Sequence, residues 1–158
     1  MGAKVEGGVM QNEKRLQKDL QYSLGCAFKG HHYIRVTHPD MYEESGKPDL
    51  IGHIYGMHVE IELKVSPNRP SDMQKEQIHR VSTTGGFACV IVWHKKDDIY
   101  YLVPPENVAD FSYRDRKKLW WRLKHAEVSL PEGKRRVINL SKLYIEMTSR
   151  LQERYSED

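Results

Sequence analysis

From Met57 to Val65 apolar and polar side chains alternate without a break: Met57, Val59, Ile61, Leu63 and Val65 against His58, Glu60, Glu62 and Lys64. A period of two is that of a strand with one face turned to a core. Glu62 and Lys64 then project from the same face, their Cα atoms roughly 6.6 Å apart. Glu60 shares that face and is expected at its rim. Upstream, Lys47-Pro48-Asp49-Leu50-Ile51-Gly52 delivers an acid at the mouth of a second strand, because the residue before a proline is held extended and Leu50-Ile51 opens an apolar run. Tyr55-Gly56 supplies the turn, which places Asp49 and Glu62 on neighbouring antiparallel strands. On its own Glu62-x-Lys64 is better read as a strand face kept wet by charge, where an ion pair is worth little. With Asp49 beside it, the set could hold one metal ion and one attacking water.

Two helical stretches flank this hairpin. Between Asn12 and Gly25 the stripe at helical spacing runs Glu13, Leu16, Gln17, Leu20 and Leu24, with Gly25 as the stop. Glu13 is either an inward carboxylate that needs a partner or a solvated acid in a first turn. Pro70-Ser71 starts the second helix, Ser71 being the expected cap, and Met73, Gln74, Gln77, Ile78 and Val81 carry it to Gly85-Gly86. Gln74 shares a face with Ile78 and Val81 and points toward the sheet, where it could position a water or a phosphate oxygen or simply reach for solvent. Strands are expected at His31 to Val36, at Phe87 to Trp93 and at Ile99 to Val103, with a loop from His38 to Gly46. The first ten residues hold three glycines and little periodicity, and are expected to form a flexible tail.

The order of these elements resembles the PD-(D/E)xK nuclease core: a helix with Glu13 and Gln17, then Gly46-Lys47-Pro48-Asp49-Leu50, Gly56, Ile61-Glu62-Leu63-Lys64, Pro70-Ser71-x-x-Gln74 and Gly85-Gly86. Within that superfamily it is most similar to the virus-type replication-repair nuclease (VRR-NUC) modules, over about residues 11 to 94. A second similarity, to the Holliday-junction resolvases of Gram-positive bacteria and their phages, lies in Gly85 to Trp93 and Asp98 to Pro104, although their long acidic metal cluster has no counterpart here. The resemblance implies an α/β fold with a restriction-endonuclease-like core, a mixed central β-sheet flanked by helices. It also implies a site in which Asp49, Glu62 and the backbone carbonyl of Leu63 bind Mg2+, with Mn2+ able to substitute. Lys64 would orient the attacking water and Gln74 the substrate or a water. Glu13 would act as an outer ligand or support for a second metal. The products implied carry 5′-phosphate and 3′-hydroxyl ends.

At 158 residues, with 39% hydrophobic and 30% charged side chains, the chain has the size and make-up of one globular domain. We expect a tail over residues 1–10 and a single nuclease domain over 11–158, its core about 11–103 and a basic, helical extension about 104–158. A net charge of +3 is too small to imply nucleic acid by itself, so the placement of the charge carries that expectation. Arg114, Arg116, Lys117, Lys118, Arg122 and Lys124 are interleaved with Tyr113, Trp120 and Trp121, cations for phosphates and rings for bases. Alternatively, Leu119, Trp120 and Leu123 form the inner stripe of an amphipathic helix whose basic side is merely solvated. Lys134-Arg135-Arg136 follow a turn at Pro131-Glu132-Gly133, before a short strand Val137 to Leu140. The candidate nucleic-acid contacts are Arg114, Lys117, Lys118, Trp121, Arg135 and Arg136.

A C-terminal helix is expected from Ser141, with Leu143, Met147 and Leu151 inward. Cys26 and Cys89 are read as reduced, and the eight histidines match no zinc spacing. No segment has a membrane-spanning length, so a cytoplasmic protein of a bacterial or phage-infected cell is expected. The expected activity is metal-dependent endonucleolytic cleavage of DNA, branched or junction DNA foremost, in recombination, repair or phage DNA processing. A homodimer would let two strands be cut symmetrically, through the helix after Leu140 or the segment around Trp120-Trp121. The alternatives are a sequence-specific restriction-type endonuclease and a non-catalytic nucleic-acid-binding module on a nuclease fold.

Overall fold

The computed structural model describes residues 2–37 and 47–156, with side chains described for 11–37 and 47–153. The expected loop from His38 to Gly46 lies outside the described residues. Helix α1 (Gly2–Ala27) leads into β1 (His32–Val36), β2 (Leu50–Ile54), β3 (Met57–Val65), α2 (Asp72–Thr83), β4 (Phe87–His94) and β5 (Ile99–Val103). Two 3₁₀ turns at Pro105–Asn107 and Tyr113–Asp115 precede α3 (Arg116–Leu119) and β6 (Trp121–Leu123). A separate hairpin, β7 (His125–Leu130) and β8 (Gly133–Ile138), is followed by α4 (Ser141–Ser156). The protein is a mixed α/β fold with a central mixed sheet flanked by helices.

The six strands pair in the order β1-β2-β3-β4-β5-β6. All neighbours are antiparallel except β3 and β4, which run parallel. A parallel pair needs a crossover, and α2 provides it. The β2–β3 hairpin closes on Tyr55 (φ 50°) and Gly56 (φ 78°), the pair of positive φ values that a tight two-residue turn requires. At Gly52 a Cβ would lie 1.8 Å from the carbonyl oxygen of Tyr33, so only glycine lets β1 come this close to β2.

One face of the sheet is dry. Leu16, Leu20 and Leu24 of α1, with Leu143 and Met147 of α4, pack on Leu50, Val59, Ile61, Leu63, Cys89 and Ile91. On the other face α2 and the segment after β5 place Ile78, Val81, Val108, Phe111 and Trp120 against Ala88, Val90, Val92, Tyr101 and Val103. β4 is covered on both sides, which is why Phe87 to Trp93 reads as an unbroken apolar run.

Four expectations are corrected. Backbone of residues 2–10 continues α1 as helix rather than irregular chain. Its buried stripe passes through Leu16, Asp19, Leu20, Ser23 and Leu24, leaving Glu13 exposed. No amphipathic helix spans Ser112 to His125: α3 is four residues long, too short to persist without packing of its own, and Trp120 turns extended (φ −109°, ψ 153°) into β6. The basic residues Lys134 to Arg136 form part of β8, not a turn before it, because β8 pairs with β7 along its whole length. β6 joins the central sheet beside β5, and Leu123, Ile138, Leu140, Leu143 and Met147 are part of the core on the α1 side.

Candidate active site

The β2–β3 register pairs Leu50 with Ile61, so Asp49, the residue just before β2, falls opposite Glu62 on the face covered by α2. The Asp49 carboxylate accepts the Leu63 backbone N–H at 2.7 Å, which fixes its orientation. Glu62 is buried at 4% exposure. Its Oε1 accepts the side-chain amide of Gln74 at 2.9 Å and stands 3.6 Å from the Lys64 ammonium. Lys64 retains a small opening to solvent.

Gln74 earns its position through the start of α2. Ser71 caps the helix: its hydroxyl accepts the Gln74 N–H at 3.1 Å, and the Ser71 N–H donates to Gln74 Oε1 at 2.8 Å. With its oxygen committed to the cap, the Gln74 amide can only present its NH2 group to Glu62. One turn further, Gln77 donates to Glu60 Oε1 at 3.1 Å, and His58 Nε2 meets Glu60 Oε2 at 2.6 Å. Glu60 is buried at 4% exposure and is not the rim residue expected, because α2 roofs both acids.

Burial raises the Glu62 carboxyl well above the ordinary carboxylate range, and the adjacent Asp49 carboxyl adds to the rise, while Lys64 offsets part of it. Two like charges in a desolvated pocket with one ammonium are short of positive charge. These donors fit a hard divalent cation: carboxylate oxygens whose repulsion such an ion would relieve. Among the described residues no three His, Cys, Asp or Glu side chains converge as a metal cage. An ion here would therefore rest on Asp49 and Glu62.

The structure brings Asp49, Glu62, Lys64 and Gln74 together and leaves Glu13 outside. The Glu13 carboxylate accepts from Asn68 at 3.4 Å, on the loop after β3. Arg114, Lys117 and Lys118 are exposed around α3. Trp121 is 41% exposed, its indole N–H bonded to Glu146 at 2.6 Å and its ring 4.6 Å from the Lys142 ammonium, on the opposite face from Glu62. Trp120 is buried and offers nothing to a dimer interface. Arg135 pairs with the buried Asp19 at 3.3 Å. Arg136 pairs with Asp98, donates to the Tyr100 hydroxyl at 3.0 Å and lies over the Trp93 ring.

Arg122 belongs to the basic tract but is not among the candidate contacts, and the structure puts it on the face of the site. Lys64 pairs with Val92, Val92 with Tyr101, and Tyr101 with Arg122, so a single row across the sheet carries Arg122 to the face of Lys64. Only the register of β6 reveals this. Asp19 was legible in principle, since it stands three residues from Leu16 and four from Ser23 on the buried stripe.

No family model matches the chain, and no curated protein does. Among solved structures it is similar to Hjc, a Holliday junction resolvase from the archaeal hyperthermophile Archaeoglobus fulgidus, at 18% identity and a TM-score of 0.46, over 59% of this chain and 77% of that one. Among the described residues no helix is long and apolar enough to cross a membrane.

Proposed function

We propose that the protein is a metal-dependent DNA endonuclease of the PD-(D/E)xK type, VRR-NUC-like, with branched or junction DNA as its substrate. The observation that carries the reading is the convergence of Asp49, Glu62, Lys64 and Gln74 at one edge of α2. Asp49 and Glu62 would hold Mg2+, or Mn2+ in its place. The ion would supply charge neutralisation at the scissile phosphate and a more acidic water. Hydrolysis adds a water oxygen to phosphorus and breaks the bond to the 3′ oxygen, leaving a 5′-phosphate and a 3′-hydroxyl. Lys64 donates a hydrogen bond to the incoming water and offsets charge building on the phosphate oxygens. Gln74 acts as a positioning residue, holding the Glu62 carboxylate in one rotamer. Paired cuts across a junction call for a two-fold dimer, and Tyr144 and Ile145 of α4 are among the exposed apolar side chains that could form it.

The test is incubation of the purified chain with a four-way junction, duplex and single-stranded DNA, in magnesium or in chelator. Magnesium-dependent cleavage that is strongest on the junction, and lost in Asp49→Ala while binding persists, is the expected result. Binding without cleavage under every condition would overturn the enzyme reading in favour of a binding module. Cleavage confined to one duplex sequence would overturn the structural specificity.

A further inference from the structure

On the face that carries Asp49 and Glu62, α2 packs against β3 and β4, and among the described residues Tyr33, Arg35 and His53 of β1 and β2 are exposed. Three rows of side chains cross those two strands. Asp49 stands opposite Glu62, Ile51 lies between Arg35 and Glu60, and His53 lies between Tyr33 and His58. Alternation along each strand puts all of them on the catalytic face. Taking about 4.8 Å between strands and about 6.8 Å between rows, Arg35 and Tyr33 stand roughly 8 Å and 14 Å from Asp49.

These side chains are not those of a solvated edge. The Tyr33 ring is 61% exposed and stacks on the His53 ring with centroids 5.9 Å apart and planes 26° from parallel. Arg35 is exposed and has no ion-pair partner among the described residues. Beside them a groove of about 430 Å³ is lined by Arg35, Ile51, Gly52, His53, Gly56 and His58. A cation, a stacked pair of rings and a groove, on the same sheet face as Asp49 and Glu62, match the chemistry of one nucleic-acid strand. The cation takes a phosphate, and the rings take a base that has no pairing partner.

We propose that this face of β1 and β2 binds the single-stranded flank of the DNA substrate, with a phosphate on Arg35 and an unpaired base on the Tyr33–His53 stack. The proposal rests on the endonuclease reading for the position of the scissile bond, and it adds to that reading an unpaired base beside the cut, as an opened branch point supplies.

Fluorescence anisotropy of the full chain with labelled oligothymidylate, and with a blunt duplex of equal length, both in chelator, tests it. Tyr33→Ala should weaken oligothymidylate binding about tenfold and leave the duplex within about twofold, and Tyr33→Trp should restore it. Arg35→Ala should weaken binding and lower the salt slope by about one. Oligothymidylate binding that is absent in the wild type, unchanged in Tyr33→Ala, or lost equally for duplex without rescue by Tyr33→Trp, would overturn the platform. Cleavage assays on the same proteins separate the two readings. Cleavage with Tyr33-independent binding removes the platform alone, and Tyr33-dependent binding without any cleavage removes the endonuclease and keeps the platform.

Discussion

The two sides of β3 bury very different side chains. Toward α1, Val59, Ile61 and Leu63 meet leucines, and every atom removed from water stabilises the fold. Toward α2, Glu60 and Glu62 are just as deeply covered, yet each is held by a glutamine from the roofing helix, with His58 against Glu60 and the Lys64 ammonium beside Glu62. Burial of like charges costs free energy until something positive arrives. One strand thus separates a face that holds the protein together from a face whose buried acids are short of positive charge.

Adjacent residues on β3 should therefore respond in opposite senses. Glu62→Gln should lower cleavage by about a thousandfold or more, the loss of roughly 4 kcal/mol at the transition state, and should raise the thermal midpoint measured in chelator. Ile61→Ala should destabilise the fold by about 2–5 kcal/mol in urea denaturation, with cleavage by the folded fraction retained. Equal behaviour of the two variants in both assays would break the comparison.

Gln74→Ala sharpens it, because the amide holds the Glu62 carboxylate from the roofing helix. A loss of about 10- to 100-fold in activity or metal affinity is expected, with partial recovery at higher magnesium and with Gln74→Glu behaving worse than Ala. Recovery by added metal distinguishes positioning from a general weakening of α2.

The pH dependence carries the same signature on a smaller scale. In the unfolded chain Glu62 ionises near about 4.5, and in the folded protein burial and then Asp49 move its ionisation to higher pH. Between those two values the folded chain holds the extra proton, so its stability falls as pH rises through that window. Thermal midpoints of wild type and Glu62→Gln, followed from pH 4 upward in chelator, should diverge in favour of the variant as pH rises. A constant difference would mean Glu62 ionises as freely folded as unfolded.

The smallest effect belongs to the far hairpin. Burial pushes the Asp98 carboxyl up, but hydrogen bonds from Arg136 and Trp93 outweigh it and hold the carboxyl below its ordinary value. Asp98 is about half exposed, so solvent screening limits the worth of the pair. Arg136→Ala should cost on the order of 1 kcal/mol and leave DNA affinity unchanged, since the guanidinium is already engaged.

The parts of this architecture that were readable from residues are those with local causes. The alternation of Met57 to Val65, the Tyr55-Gly56 turn and the Ser71 cap each depend on neighbours in the chain, and together they place Asp49 opposite Glu62. The missed features depend on what lies across the fold. Alternation at Glu60 looks the same whether a helix or water covers it, and α2 decides. Trp120 to Leu123 has helical spacing, yet pairing with β5 wins because a four-residue helix has little to hold it. Arg122 reaches the catalytic face only through three successive strand registers, none of them audible in the tract itself.

The central claim is that Asp49 and Glu62 share one divalent cation. Calorimetric titration of Mn2+ into wild type, Asp49→Ala and Glu62→Gln tests it without DNA or turnover. The account predicts binding to the wild type that is lost or weakened by orders of magnitude in both variants; titration curves that superimpose for all three proteins would contradict it.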